Sequence, residues 1–164
     1  MTKKLFTTLL FVVATITTMA QDAYIFTSFR EPSTGGMHYL YSYDGLKWDT
    51  IPGEWFIPQI GNEEMYEDAF TGELVLPFFA PEDRVFRDPS ITQGPDGTFH
   101  LVWTMQWYGA KGFGYASSKD LINWSKQICV PGMKNHPTNN VWAPEVFYDD
   151  ERQEYFIIWA SMLD

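Results

Sequence analysis

Phe86-Arg87-Asp88-Pro89-Ser90-Ile91, a turn at Pro95-Asp96-Gly97 and then Phe99-His100-Leu101-Val102-Trp103-Thr104 form one strand–turn–strand phrase. The phrase returns as Ala143-Pro144-Glu145-Val146-Phe147, a turn at Asp149-Asp150 and Tyr155-Phe156-Ile157-Ile158-Trp159-Ala160, with Trp103 and Trp159 56 residues apart. Aromatic and β-branched residues dominate both closing segments, which is strand composition. Phe99, Leu101 and Trp103 alternate with His100, Val102 and Thr104, the pattern of a strand with one drier face. Tyr155 to Ala160 is apolar on both faces and is expected to be sandwiched. Tyr24-Ile25-Phe26-Thr27-Ser28-Phe29 is a third strand of the same kind.

A second repeat surrounds the first. Ser42-Tyr43-Asp44-Gly45-Leu46-Lys47-Trp48 and Ser118-Lys119-Asp120-Leu121-Ile122-Asn123-Trp124 share Ser-x-Asp-x-x-x-Trp, each after a short aromatic strand (His38 to Tyr41, Phe113 to Ala116). Ser and Asp side chains bond turn amides, and the Trp packs back over a strand pair. Such units recurring at about 55–75 residues point to blades of a β-propeller. On these grounds alone, a β-sandwich with two similar hairpins is the alternative. Asn62 to Leu76 fits no blade. Glu63-Glu64-Met65-Tyr66-Glu67-Asp68 has the make-up of a helical turn, but Gly72 and Pro77 limit it, and the stretch reads as a solvated acidic loop.

The chain of 164 residues allows one domain. Its 13 Phe, 9 Tyr and 7 Trp within 45% hydrophobic residues exclude disorder. Twelve Gly and 10 Pro suit many short strands and rule out a long-helix protein. A net charge of −10, with no basic run beyond Lys3-Lys4, excludes nucleic acid as a natural partner. Lys3-Lys4, the apolar stretch Leu5 to Ile16 and the small residues of Thr18-Met19-Ala20 read as a secretory signal peptide over 1–20, too short for a membrane span. Residues 21–164 then form the single domain of an exported protein, periplasmic, surface-bound or secreted. The one cysteine, Cys129, excludes an internal disulfide and is expected to be an inert buried thiol. His38, His100 and His136 lack metal-ligand spacing, and neither metal nor cofactor is expected.

Phe86-Arg87-Asp88-Pro89-Ser90-Ile91 resembles the Asp-Pro lead strand of glycoside hydrolase family 43. Ser118-x-Asp120-Leu121-x-Asn123-Trp124 is similar to that family's Ser-x-Asp-Leu-x-Asn-Trp turn, and Trp142-Ala143-Pro144-Glu145 to its Trp-Ala-Pro-(Asp/Glu) opening of the next blade. Family 32 propellers share the first two patterns. The resemblance covers residues 86–162, and 23–55 is similar to the blade before the Asp-Pro strand. It implies a five-bladed propeller with a central carbohydrate-binding funnel, cleaving arabinose-, xylose- or galactose-type glycosides with inversion. Inversion needs one carboxylate to activate water and a protonated one to protonate the leaving oxygen, about 6.5–9.5 Å apart.

On this resemblance Asp88 matches the general base, although in family 32 the same Asp is a transition-state stabiliser. Without it, Asp88 reads rather as a turn carboxylate capping amides ahead of a strand. Arg87 either pairs with Asp88 or binds a sugar hydroxyl or carboxylate. Glu145 stands at the position of the family's funnel-lining carboxylate, not normally its acid, and reads rather as a structural anchor bonding a neighbouring strand's amides. Trp107, Tyr108 and Trp142 offer rings on which a sugar can stack, and His136 lies in a polar loop entering the funnel.

At about 60 residues per blade, five blades need about 300 residues. The chain therefore reads as an incomplete all-β propeller of two to three blades, and the family's second Asp and acid Glu find no match in it. The expectation is the N-terminal part of an exported glycosidase, inactive alone, whose partner besides carbohydrate is a missing C-terminal half or another copy of itself. A non-catalytic carbohydrate-binding propeller is the alternative. A sialidase-type propeller fits less well, because Arg30, Arg84, Arg87 and Arg152 do not assemble an arginine triad.

Overall fold

The computed structural model describes residues 21–33, 35–60, 66–67, 74–75 and 84–163, so the signal peptide expected over 1–20 lies outside the described residues. Every regular element among them is a β-strand. β1 (Tyr24–Ser28), β2 (Met37–Ser42) and β3 (Asp49–Phe56) make a three-stranded antiparallel sheet in sequence order. β4 (Tyr66–Glu67) and β5 (Leu74–Val75) pair as a small hairpin. Tyr66–Glu67 is thus a paired strand inside a stretch expected to be a solvated loop; cross-strand pairing with Leu74–Val75 satisfies its backbone groups.

β6 (Arg87–Gln93), β7 (Phe99–Thr104), β8 (Phe113–Ser118) and β9 (Ile128–Val130) form a four-stranded antiparallel meander, one full blade. β10 (Trp142–Asp149) and β11 (Glu154–Ala160) open the next. β1, β6 and β10, each the first strand of its sheet, are neighbours in that order, β1 beside β6 and β6 beside β10. This is the radial stacking of propeller blades, and the chain is an incomplete all-β propeller.

The two Ser-x-Asp turns close their strands identically. Ser42 Oγ accepts from the Gly45 amide at 2.8 Å, and Asp44 Oδ1 accepts from the Leu46 and Lys47 amides at 2.8 Å each. Ser118 Oγ accepts from the Leu121 amide at 2.9 Å, and Asp120 Oδ1 from those of Ile122 and Asn123 at 2.9 and 2.7 Å. Gly45 and Leu121 hold equivalent places at φ +72° and +64°. The left-handed conformation strains a leucine, and the amide bonds around Asp120 hold it there. Those bonds, the Asn123 amide first, keep the Asp120 carboxyl well below its ordinary range.

β7 carries the core on both of its faces. Leu101 and Trp103 meet Met37, Tyr39 and Phe56 of the first sheet, and Val102 meets Phe113, Val141 and Val146 on the other side. The expected drier face is therefore one of two buried faces, because a sheet lies on either side of β7. Trp103 crosses Gly114 of β8, where a Cβ would stand 2.1 Å from the indole, so the glycine is what admits the ring. β11 departs from expectation in the opposite sense. Ile157 and Trp159 pack on the second core, but Ile158 is 54% exposed, because among the described residues only one face of the β10–β11 sheet meets another sheet. Cys129 on β9 is half-buried against the first core.

Candidate functional site

The inner strands β6 and β10 begin with the same distortion. Arg87 pairs with Thr104 and Ser90 with Val102, so Asp88 and Pro89 together face only Trp103. Trp142 pairs with Ala160 and Glu145 with Ile158, so Ala143 and Pro144 face only Trp159. Two residues opposite one is a β-bulge. Each bulge holds a non-glycine residue at positive φ before a proline, Asp88 at +48° and Ala143 at +47°. That conformation costs an L-residue about 1–2 kcal/mol.

The two bulges face a common cleft of about 340 Å³, inside the range of small-ligand sites. Asp88 and Thr104 come from one strand pair, Ala143 and Ala160 from the other, and Arg87, Trp107 and Trp142 complete the lining. Thr104, buried to 1% exposure, donates its hydroxyl proton to Asp88 Oδ2 at 2.9 Å and accepts the Ala143 amide at 2.8 Å. Among the described residues Asp88 Oδ1 has no hydrogen-bond partner. The carboxylate is thus tied at one oxygen and open at the other.

Arg87 pairs with neither Asp88 nor open space. Its Nη1 lies 2.9 Å from Glu31 Oε1, and its guanidinium sits 4.0 Å from the Trp107 ring centroid and 5.1 Å from that of Phe29. Ser33 donates to Glu31 Oε2 at 2.7 Å. The Ser33 hydroxyl first, and then Arg87, hold the Glu31 carboxyl below its ordinary value. Arg87 is therefore a braced wall of the cleft, and its guanidinium covers one face of the Trp107 indole.

Trp142 donates Nε1–H to the Trp107 carbonyl at 2.7 Å, and Tyr108 meets the Trp142 ring edge-on at 5.5 Å. The loop from His136 to Asn140 is braced from beneath by buried Lys111, whose ammonium donates to the carbonyls of His136 and Thr138. The His136 side chain is exposed and outside the cleft lining. Glu145 is likewise exposed, opposite Ile158, and does not line the cleft. Four of the sequence candidates, Arg87, Asp88, Trp107 and Trp142, are thus brought together in the cleft, Tyr108 packs behind Trp142 outside its lining, and Glu145 and His136 are not brought to it. Sequence reasoning missed Thr104, Ala143, Ala160 and Glu31. The register of the repeat could have found the first three, since Thr104 and Ala160 follow the paired tryptophans; nothing local marks Glu31.

Among the described residues no group of three or more His, Cys, Asp or Glu is placed to hold a metal ion, and no helix is long and apolar enough to cross a membrane. Chemically, the cleft offers one carboxylate oxygen opposite apolar and aromatic walls, which suits activation of water beside a ring-shaped ligand with one apolar face.

Residues 65–164 match a family model described as "Probable glycosyl hydrolase domain", related to glycosyl hydrolase family 43. Among solved structures, "a putative glycoside hydrolase from Parabacteroides distasonis" is similar in fold, with a TM-score of 0.50 at 20% sequence identity. The alignment covers 87% of this chain and 43% of that one. No curated protein matches the sequence.

Proposed function

Since the chain belongs to the glycosyl hydrolase 43-related family of probable glycosyl hydrolase domains, we propose that its cleft binds a carbohydrate and that Asp88 serves glycoside hydrolysis as the general base. One observation carries the reading: Asp88 is fixed through Oδ2 and open at Oδ1, inside an aromatic-walled cleft. The oxygen left open is placed to take a proton from water as that water attacks the sugar's anomeric carbon. The leaving oxygen takes its proton from a second carboxyl group, which the described lining residues do not include. They supply the base half of the pair. The substrate class proposed is an arabinose-, xylose- or galactose-type glycoside. Export through residues 1–20 belongs to the same reading, and N-terminal sequencing of the exported protein should begin at Gln21.

The test compares wild type with Asp88→Asn, each completed with the part that supplies the second carboxyl group, on aryl arabinofuranosides, xylosides and galactosides. Loss of a general base lowers turnover by about 10²-fold or more; equal rates would remove Asp88 from the chemistry. The lone carboxylate favours one second reading, carbohydrate binding without hydrolysis. In that case sugar affinity survives Asp88→Asn and is lost with Trp107→Ala.

A further inference from the structure

We propose that Thr104 is the positioning residue of the Asp88 carboxylate, selecting which oxygen faces the cleft and tying it to the neighbouring blade. The inference deepens the reading of Asp88 as base and rests on it for its kinetic consequence. Thr104 closes β7 at the corner, fully buried among apolar neighbours of the same strand, where a valine would match its shape. A buried hydroxyl needs partners, and this one has two with opposite demands. The Ala143 amide can only donate, so it takes a lone pair of Oγ1, while the single hydroxyl proton goes to Asp88 Oδ2.

Three consequences follow from that wiring. Oδ2 is committed, so Oδ1 is the oxygen presented to a ligand. The carboxylate's rotation is fixed in a residue whose backbone is already held at positive φ. The bond also spans two sheets: Ala143 belongs to β10, so a shift of that wall moves the hydroxyl on which Asp88 rests. The β10–β11 sheet thereby helps to aim the carboxylate without contributing one to the cleft. The repeat supports the assignment, because its equivalent of Thr104 is Ala160 and its equivalent of Asp88 is Ala143. The hydroxyl accompanies the carboxylate, and where one is missing so is the other.

The test uses Thr104→Val, which removes the hydroxyl at nearly constant shape, and Thr104→Ser, which restores it. Crystal structures of both variants of the full chain show where the Asp88 carboxylate lies, whether or not turnover is measurable. The expected result is a rotated carboxylate in Thr104→Val and the original orientation in Thr104→Ser. In the hydrolysis assay Thr104→Val lowers kcat about 10- to 100-fold with KM changed by less than about threefold, and Thr104→Ser recovers most of the loss. An unmoved carboxylate in Thr104→Val, or a serine variant no better than the valine one, overturns the inference. Should Asp88→Asn hydrolyse as fast as wild type, the general-base reading falls, and the carboxylate orientations still decide the role of Thr104.

Discussion

Arg87-Asp88-Pro89 and Trp142-Ala143-Pro144 make the same corner with different contents. Each sits in a bulge of two residues against one, each puts its middle residue at a φ within a degree of +47°, and each lies against a second strand that ends in Trp103-Thr104 or Trp159-Ala160. One corner holds a guanidinium, a carboxylate and a hydroxyl, and the other an indole and two methyl groups. Backbone strain is often taken as a mark of a functional site. Here Ala143 carries the same strain with no reactive group, so the strain belongs to the way an inner strand of this fold begins. The chemistry lies in the side chains placed on it. The emptied corner still contributes: its alanines leave room opposite Asp88, and its amide holds the hydroxyl that holds the carboxylate.

The two repeats also differ in how firmly they are packed, and that difference is the largest effect expected. Trp103 is 1% exposed, with Phe56 and Phe86 rings at 4.9 and 5.9 Å. Its equivalent Trp159 is half-buried, with Phe113 at 5.5 Å. Trp103→Ala should lower unfolding free energy by about 3–5 kcal/mol, and Trp159→Ala by about half of that or less. Urea titration of both variants reads the difference. Equal losses would mean that the second repeat is packed as tightly as the first, against the exposure of Ile158 beside it.

A smaller effect tests whether the shared strain is real. Ala143→Gly removes a Cβ at φ +47° and should stabilise the protein by about 1 kcal/mol, read as a rise in urea midpoint. The amide is retained, so the bond to Thr104 survives. A loss of stability would show that Ala143 sits unstrained and that the corner owes its shape to side-chain packing.

The blades were legible in the sequence because their signals are local. Alternation marks β7, and Ser and Asp two residues apart build each turn with their own neighbours' amides. The positions of Asp88 and Trp142 followed from motifs that open strands. Less legible was everything that joins one blade to another. Thr104 reaches Ala143 across 39 residues, and Arg87 finds Glu31 rather than Asp88. No periodicity encodes such contacts. Glu145 pairs with Ile158, two residues along β11 from the Ala160 that lines the cleft, so it faces out beyond the cleft while Val146 enters the core. Ile158 shows the same limit, since composition marks an apolar face but not whether a sheet covers it.

The smallest effect expected lies at the far end of the contact between the two repeats. His100 on β7 accepts or donates at Nδ1 with the Tyr115 hydroxyl at 2.8 Å and packs against the Tyr155 ring of β11 at 4.4 Å. Its Nε2 is buried and without a partner among the described residues. Burial pushes its pKa below the ordinary 6.5; Asp96 opposes the shift and Lys119 reinforces it. A histidine depressed in the fold binds its proton more readily in the unfolded chain, so its contribution is complete above pH 6.5 and declines as pH falls through the window beneath it. Stability by urea unfolding should therefore decrease from about pH 7.5 to about pH 5.5, and His100→Gln should flatten part of that slope. Because the ring is only half-buried, water screens the charge and the change should be modest. Identical slopes would mean that acid reaches His100 without disturbing the contact between β7 and β11.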